Sequence, residues 1–226
     1  MLTASFKDKK VLITGHTGFK GSWLCMLLRE LGAEIIGFSL PLSKENFLFN
    51  ALGLKDEIKH FEGDIRDFAQ LHGIISEEQP KFIFHLAAQP LVVEGYKNPM
   101  DTFEVNFTGT LNLLEAIRLS SLDNPDWRSS VVMVTTDKVY HNREWVHPYR
   151  ETDSLGGYDP YSASKASSEI LISSYQNKAT AVWNEYTLAT YGGGESGGVP
   201  MYSYDFFPLG ENSNFSAIQH INEGCI

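Results

Sequence analysis

The hydrophobic and polar positions of the chain follow two patterns in turn, short apolar runs and longer segments with helical spacing. The apolar runs predict β-strands at Val11–Thr14, Glu34–Phe38, Ile58–Glu62, Phe82–Leu86 and Val131–Thr135. The amphipathic segments predict helices near residues 19–31, 43–53, 67–78, 98–119 and 160–176. The repeated order strand, helix, strand predicts an α/β fold of the Rossmann type, a doubly wound parallel sheet.

The pattern changes after about residue 178, where glycine, proline, serine, asparagine and aromatic residues follow without a helical or strand period. One further strand, Tyr186–Thr190, is the last regular element that the sequence predicts. We therefore expect a Rossmann domain over residues 1–190 and an atypical, poorly ordered segment over residues 191–226.

Composition narrows the class of protein. The chain has 226 residues, 42% of them hydrophobic, and a formal net charge of −10, which argues against non-specific binding to nucleic acid. The two cysteines, Cys25 and Cys225, lack the spacing of metal ligands, and Cys25 is expected to be buried in a helix. The sequence contains neither a signal peptide nor a long apolar span, so we expect a cytoplasmic protein that contacts no membrane and holds no metal.

Three glycines, Gly15, Gly18 and Gly21, directly follow the first apolar run in the segment GHTGFKG. A glycine turn between a buried strand and a helix brings backbone N–H groups and the positive end of the helix dipole together, which suits a pyrophosphate. Gly15 would allow the tight turn, Gly18 the close approach of the phosphate, and Gly21 the close packing of helix on strand. The alternative is a tight turn with a purely structural role.

Tyr161 and Lys165 lie four residues apart in the segment DPYSASKASSEI, and therefore on one face of a helix. A free tyrosine has a pKa of about 10, and an ammonium group beside it lowers that pKa. A phenolate formed in this way can take a proton from a sugar hydroxyl while hydride leaves the same carbon for a nicotinamide. The alternative is that the two residues meet by coincidence on an exposed helix surface.

The glycine spacing, the segment HLAAQ at 85–89 and the Tyr-x-x-x-Lys pattern together resemble the extended short-chain dehydrogenase/reductase family. Further segments, GDIRD, AAQPLV, TTDKVY and LGGYDPYS, resemble its sugar-nucleotide 4,6-dehydratases, in particular those that act on CDP-glucose. The resemblance runs from about residue 10 to 176. It implies NAD as cofactor, oxidation of CDP-glucose at C4, loss of water across C5 and C6, and return of the hydride to C6. The product would be CDP-4-keto-6-deoxyglucose, a precursor of dideoxysugars in surface polysaccharides.

The same resemblance implies that most of the small C-terminal substrate lobe is absent, with residues 191–226 as an atypical remnant of it. It also implies a homodimer through the helices near 98–119 and 160–176, although packing of these helices onto the sheet explains their apolar faces equally well.

The resemblance also assigns catalytic roles. Thr136 would hydrogen-bond the substrate hydroxyl beside Tyr161 and Lys165. Asp137, kept protonated, would donate to the leaving C6 hydroxyl, and Lys138, kept partly neutral, would take the C5 proton. Related dehydratases usually carry glutamate at the position of Lys138. A simple Asp–Lys turn at the end of a strand is the alternative.

The residues expected to contact NAD lie at the ends of the predicted strands and in the catalytic helix. They are Gly15, His16, Thr17, Gly18, Phe19, Lys20, Gly21, Ser39, Asp64, Ile65, Leu86, Ala87, Ala88, Gln89, Asn106, Tyr161 and Lys165. Asp64 would contact the adenine edge, unless it is an ordinary helix N-cap or turn residue. His16 could approach the pyrophosphate or face solvent, and Asn106 could instead have a surface or capping role.

Ser39 stands where an acidic residue normally holds the adenosine ribose, which predicts relatively weak NAD binding. No arginine follows at 40–43 to receive a 2′-phosphate, so NAD is preferred over NADP. Three functions remain open at this point: a 4,6-dehydratase, another sugar-nucleotide oxidoreductase such as an epimerase, and a cofactor-binding fragment without turnover.

Overall fold

The computed structural model describes residues 2–44, 46–176 and 187–191. Within these ranges the strands are β1 (Lys10–Thr14), β2 (Glu34–Ser39), β3 (Lys59–Glu62), β4 (Phe82–His85), β5 (Ser130–Val134) and β6 (Thr187–Tyr191). The α-helices are α1 (Leu2–Phe6), α2 (Phe19–Glu30), α3 (Phe47–Ala51), α4 (Phe68–Glu78), α5 (Val92–Lys97), α6 (Pro99–Phe103), α7 (Gly109–Asp123) and α8 (Pro160–Gln176). Two 3₁₀ turns, Leu54–Asp56 and Asp137–Val139, and a π turn, Glu104–Thr108, complete the described elements.

The six strands form one parallel sheet in the order β3-β2-β1-β4-β5-β6. This is the strand order of a Rossmann fold, which confirms the predicted α/β class. The order reverses between β1 and β4, and ligands of such sheets bind at that point, outside the carboxyl ends of the strands. The glycine turn, the HLAAQ segment and the TTDK segment all follow strands at this edge.

The strands are apolar because both faces of the sheet are covered by helices. Leu12 of β1 belongs to a core that includes residues of α4, α7 and α8, such as Leu71, Leu114 and Ile172. Its neighbours Val11 and Ile13 point to the other face, which α1, α2 and α3 cover with Phe6, Cys25, Leu28 and Phe49. Cys25 is buried, as predicted.

Two predicted helices differ from the observed ones, and two observed helices were not predicted. The helix near 43–53 is only the short α3, because Asn46 accepts a hydrogen bond from the backbone of Ser43 and holds the preceding chain as a loop. The segment near 98–119 is divided by the π turn and continues to Asp123. Helices α1 and α5 had no predicted counterpart.

The predicted domain boundary falls inside β6, whose last residue is Tyr191. Residues 177–186, which include Tyr186 of the predicted last strand, and residues 192–226, which include Cys225 and nearly all of the predicted remnant, lie outside the described residues. Among the helices of the described ranges, none has the length and apolar character needed to cross a membrane. The same ranges hold no group of three or more histidine, cysteine or acidic side chains arranged for a metal ion.

Candidate active site

The glycine turn joins β1 to α2 and is packed from two sides. Gly15 has a φ of +72°, and a Cβ there would lie 2.7 Å from the backbone nitrogen of Ala87. A Cβ on Gly21 would collide with the carbonyl oxygen of Gly15, so α2 lies directly against the turn. Both positions exclude a side chain, and their geometry agrees with the roles that the spacing predicts for them.

The start of α2 presents backbone donors to solvent. Gly18, Phe19 and Lys20 are exposed, and no side chain caps the helix. The first N–H groups of a helix have no partner within it, and the helix dipole adds a partial positive charge there. A pyrophosphate therefore fits this cradle, and the turn could hold the diphosphate of a dinucleotide cofactor.

The His16 side chain lies on the inner side of the turn and is fully buried. Its Nε2 is 2.7 Å from Nδ1 of His60 on β3, and its ring occupies the space that a Cβ on Gly37 would need. Burial, helped by the neighbouring His60, lowers the pKa of His16 to about 4, so the ring is neutral at neutral pH. The solvent-facing alternative is therefore wrong, because the ring packs the turn against β2 and β3.

Hydroxyl and amide groups surround the end of β2, where the adenosine ribose of a dinucleotide would lie. The Ser39 Oγ is 3.0 Å from the Thr17 Oγ1, and the pair is buried. Asn46 Nδ2 donates to the carbonyl oxygen of Thr17 at 3.1 Å and ties the following loop to the turn. Neutral hydroxyls make weaker hydrogen bonds than a carboxylate, which supports weak NAD binding; that affinity stays a prediction.

Asp64 follows β3 and is held by Arg66. Two guanidinium nitrogens of Arg66 donate to its carboxylate, Nε at 2.9 Å and Nη2 at 2.6 Å, and the Arg66 backbone N–H donates to Oδ1. The hydrogen bonds from Arg66 lower the pKa of Asp64. Arg66 also contacts Asp101 and Glu104, and so links this turn to α6 and the π turn. The N-cap of α4 is Asp67, so the N-cap alternative for Asp64 is wrong, whereas the turn alternative describes its backbone contact.

The loop after β4 runs from Leu86 to Gln89 and is fixed by Asn106. The backbone N–H of Gln89 donates to Asn106 Oδ1 at 2.8 Å, and Asn106 Nδ2 donates to the Gln89 carbonyl at 3.1 Å. Asn106 lies in the π turn and is fully buried, so its surface alternative is wrong. Because both ends of its amide are used within the protein, its contact with NAD stays a prediction and its observed contacts are with the loop.

Tyr161 and Lys165 lie in the first turns of α8. The Asp159 carboxylate accepts hydrogen bonds from the backbone N–H groups of Tyr161 and Ser162 and caps the helix. Lys165 is 3% exposed, and its Nζ donates to the carbonyl oxygen of Val134 at the end of β5. The alternative that Tyr161 and Lys165 meet by coincidence on an exposed helix surface is therefore wrong, because the Lys165 side chain is buried against the end of β5.

The Tyr161 hydroxyl lies next to Thr136. Burial is the main cause that raises the pKa of Tyr161, and the charges of Asp137 and Asp159 raise it further, while the Thr136 hydrogen bond lowers it. The Thr136 hydroxyl is also 3.1 Å from an oxygen of Asp137. The predicted lowering of the Tyr161 pKa is therefore wrong for the protein alone, because desolvation of the phenolate is the dominant influence on it.

Lys165 is mostly protonated at neutral pH. Burial lowers its pKa to about 8, and the carboxylate of Glu169, one helical turn further on, opposes that shift. The Thr135 hydroxyl donates to Glu169, so this carboxylate is anchored to the end of β5. The ammonium is thus available to hydrogen-bond a ribose or to balance negative charge at Tyr161.

Asp137 and Lys138 begin the 3₁₀ turn that follows β5. Asp137 is partly buried next to Thr136, and Lys138 is exposed. The Thr136 side chain accepts a hydrogen bond from the Lys138 backbone and caps the turn. The structure therefore brings Asp137 close to the Thr136 and Tyr161 hydroxyls, whereas the Lys138 side chain lies at the rim.

The sequence pattern of one protein family, described as GDP-mannose 4,6 dehydratase, matches residues 12–192, more than half of the chain. The chain belongs to this 4,6-dehydratase family. It is 45% identical over 172 residues to the CDP-glucose 4,6-dehydratase of Salmonella typhimurium, with 76% of this chain and 46% of that protein covered. It is 33% identical over 185 residues to the CDP-paratose 2-epimerase of Salmonella typhi, with 74% of this chain and 52% of that protein covered.

A solved structure has the same fold. The UDP-glucose 4-epimerase of Thermus thermophilus, a complex with NAD, has a TM-score of 0.66 and 28% identity, covering 80% of this chain and 54% of that one. The chain thus spans about half the length of the relatives it matches. Membership in the family confirms the resemblance that the sequence motifs indicate.

Several residues of this 4,6-dehydratase family member escaped the sequence reasoning because their roles depend on contacts between distant segments. They are Arg66, His85, Thr110, Ser164 and Glu169. Three carried a visible signal. His85 is a polar residue inside an apolar strand, and Glu169 stands one helical turn after Lys165. The serine pattern in SASKASS also places Ser164 on the inner face of α8.

Proposed function

We propose that the chain carries the NAD-binding and catalytic part of a CDP-glucose 4,6-dehydratase, which forms CDP-4-keto-6-deoxyglucose. The observation that carries this proposal is the group formed by Thr136, Tyr161 and Asp137 at the carboxyl edge of β5. The identity with the Salmonella typhimurium enzyme supports the same activity. NAD is preferred to NADP because no arginine follows Ser39 at 40–43.

In the oxidation step, Tyr161 accepts the proton of the C4 hydroxyl, and Thr136 holds that hydroxyl in place. When bound, NAD would supply the acceptor for the C4 hydride and its later donor to C6, and a positive charge near the phenolate. Lys165 contributes its ammonium group on the same side, because its pKa of about 8 keeps it mostly charged. The raised pKa of Tyr161 means that deprotonation depends on these two positive charges.

In the elimination step, Asp137 donates a proton to the departing C6 hydroxyl and Lys138 removes the proton from C5, so that water leaves across the C5–C6 bond. Lys138 then gives that proton back to C5 when the hydride returns to C6, which yields the 6-deoxy product. The contact between Asp137 and Thr136 supports the first assignment, since it puts the carboxyl group next to the hydroxyl that would hold the sugar. The position of Lys138, next to Asp137 in the same 3₁₀ turn, supports the second, because it puts both side chains at the carboxyl edge of β5.

An epimerase is the second candidate, and it is favoured by the likeness to the UDP-glucose 4-epimerase structure and the CDP-paratose 2-epimerase sequence. An epimerase needs Tyr161 and Thr136 but has no use for an acid and a base that expel water. The pair Asp137–Lys138 therefore discriminates between the two reactions.

The test uses the 226-residue chain with CDP-glucose and NAD. Formation of a 4-keto sugar is followed by its ultraviolet absorbance in alkali, and NAD binding is followed separately by calorimetry. We expect product. NAD binding without product would contradict turnover by this chain, and a changed sugar without alkaline absorbance would indicate the epimerase.

Two variants separate the steps. Tyr161→Phe should lower turnover by about 10²- to 10⁴-fold, the usual contribution of a general base. Lys138→Ala should stop elimination and leave NAD binding unchanged. Lys55→Ala, an exposed lysine remote from the sheet's carboxyl edge, is the matched control. Unchanged turnover of Lys138→Ala would remove Lys138 from the mechanism.

The setting of the reaction is part of the same proposal. We infer a homodimer, supported by the large exposed side chains Met100, 76% exposed on α6, and Ile170, 62% exposed on α8. Light scattering of Met100→Glu, which should weaken association, tests it.

Nucleotide sugars and NAD are cytoplasmic metabolites, which supports a cytoplasmic location and a role in dideoxysugar and polysaccharide biosynthesis. Cell fractionation checks that location.

A further inference from the structure

A chain of buried hydrogen bonds connects the end of β1 to the π turn through His85. The backbone N–H of Ala87 donates to Thr14 Oγ1 at 3.3 Å, and that oxygen is 2.7 Å from His85 Nδ1. On the other side of the ring, Nε2 is 3.2 Å from Thr110 Oγ1, which donates to the carbonyl oxygen of Asn106 at 2.6 Å. The Thr14, His85, Thr110 and Asn106 side chains are all buried.

The protons of this chain can be assigned by elimination. Thr110 has one hydroxyl proton and donates it to the Asn106 carbonyl, so it can only accept from His85. His85 therefore carries its proton on Nε2, and its Nδ1 accepts the proton of the Thr14 hydroxyl. All donors then point in one direction, from Ala87 through Thr14, His85 and Thr110 to the Asn106 carbonyl.

The π turn continues the connection to the catalytic helix. Asn106 Nδ2 donates to Ser164 Oγ at 2.9 Å, and Ser164 Oγ donates to the carbonyl oxygen of Tyr161 at 2.7 Å. Ser168 Oγ donates to the same Asn106 carbonyl that Thr110 uses, at 3.0 Å. The first turns of α8 are thus tied to the π turn at two serines.

The other end of the connection is the phosphate turn. Thr14 is the last residue of β1 and directly precedes Gly15, and the Ala87 backbone that donates to Thr14 lies against Gly15. His85 is therefore the one side chain of this buried chain that joins both segments, with one nitrogen toward each.

We propose that His85 is a positioning residue that, as its neutral Nε2–H tautomer, sets the distance between the phosphate turn and the catalytic helix. The observations that carry it are the fixed donor directions on both ring nitrogens and the continuity of the contacts from Gly15 to Tyr161. The proposal rests on the proposed function only in treating the two segments as parts of one dinucleotide site.

The surroundings keep the ring neutral. Burial is the main cause that lowers the pKa of His85 to about 3, and the charge of Lys165, the neighbouring cation, lowers it further. A protonated ring would also donate from Nδ1, and the Thr14 hydroxyl would then have to rotate and accept that proton. The neutral ring is therefore the form that keeps all donors pointing in one direction.

The first test is spectroscopic and needs neither substrate nor turnover. In the full chain labelled with ¹⁵N-histidine, the His85 ring should show a protonated Nε2 and an unprotonated Nδ1 throughout the range from about pH 5 to about pH 8, because its pKa of about 3 lies below that range. An Nδ1–H tautomer, or an imidazolium in that range, would overturn the proposal.

The second test compares three variants by NAD titration and by amide hydrogen exchange of residues 162–168. His85→Phe fills the space without hydrogen bonds and should raise the Kd for NAD about tenfold and speed exchange in α8. His85→Gln, whose amide reaches the Nε2 position and can donate to Thr110, should restore slow exchange. Ile83→Val, a buried control on the same strand, should change neither quantity.

If His85→Phe does not fold, His85→Asn replaces it, because its shorter amide reaches Thr14 but not Thr110; it should exchange faster in α8 than His85→Gln. Equal exchange in His85→Asn, His85→Gln and the unmodified chain would overturn the proposal. Since both readouts are independent of product formation, a failed dehydratase assay leaves this result intact.

Discussion

Two imidazoles are buried in their neutral form, so the protein should lose stability in mild acid. Burial lowers the pKa of His85 to about 3 and that of His16 to about 4, from an ordinary value of 6.5. As the pH falls below about 7, the unfolded chain takes up protons at these positions and the folded chain does not. The stabilisation is therefore fully present above the ordinary value of 6.5 and is lost progressively as the pH falls toward the folded values.

The magnitude follows from the two pKa differences. At about pH 5 each histidine is about one and a half pH units below its unfolded pKa, which corresponds to about 2 kcal/mol of unfolding free energy for each. The carboxyl groups with lowered pKa values, such as Asp64 and Glu78, titrate from ordinary values of 3.8 and 4.5, so most of their effect lies at lower pH. Together, His16 and His85 should therefore lower the free energy of unfolding by about 4 kcal/mol between about pH 7 and about pH 5. This is a large part of the stability of an ordinary domain.

Urea unfolding at about pH 7 and about pH 5, followed by tryptophan fluorescence without ligands, measures this loss. His16→Gln and His85→Gln should each remove about half of it, and comparing each variant with itself at two pH values cancels any change in its baseline stability. His147→Gln, at an exposed position, is the control. A loss below about 1 kcal/mol in the unmodified chain, or a full loss in both variants, would refute the reasoning.

Four further substitutions probe other contacts. Gly21→Ala should open the glycine turn, because its Cβ would collide with backbone, and should weaken NAD binding at least about tenfold. Gly73→Ala on α4, where a Cβ meets open space, should instead raise the free energy of unfolding in urea by about 0.5–1 kcal/mol. Arg66→Met should release Asp64 and raise the Kd for NAD several-fold in calorimetry, while unfolding changes by less than about 1 kcal/mol because the ion pairs are partly exposed. Trp127→Phe removes the indole N–H that donates to the Pro80 carbonyl oxygen and should cost about 1 kcal/mol in thermal unfolding; no change would show that this carbonyl oxygen accepts from water instead.

The strands and the phosphate turn could be predicted from the sequence because their causes are local. A strand buried on both faces is apolar at nearly every position, as in Phe82–His85, and the glycine spacing at 15, 18 and 21 is set by one turn. The pair Tyr161 and Lys165 was likewise visible, since helical spacing alone brings the two residues to one face. These features need no knowledge of the rest of the fold.

The burial and the pKa values of the site residues could not be predicted, because they depend on contacts between segments that are distant in the sequence. His16 is buried because Gly37 on β2 lacks a side chain and His60 on β3 meets its ring, and both lie in other strands. The pKa of Tyr161 follows from how deeply α8 is packed against the end of β5, which spacing cannot reveal. Arg66 forms ion pairs with Asp64, two residues earlier, and with Asp101 of α6, which is distant in the sequence.

The π turn between α6 and α7 divides one long helical segment into two parts with different neighbours. The backbone N–H of Gly109 bonds to the carbonyl of Glu104, five residues earlier, so the turn accommodates one more residue than an α-helix would. An extra residue rotates everything before it by about 100° relative to everything after it. A single helical wheel drawn over 99–123 therefore mixes two surfaces, and the residues that face solvent before the turn must be compared among relatives separately from those that line the sheet after it. A one-residue gap in an alignment of this segment would then mark the presence or loss of the turn that carries Asn106.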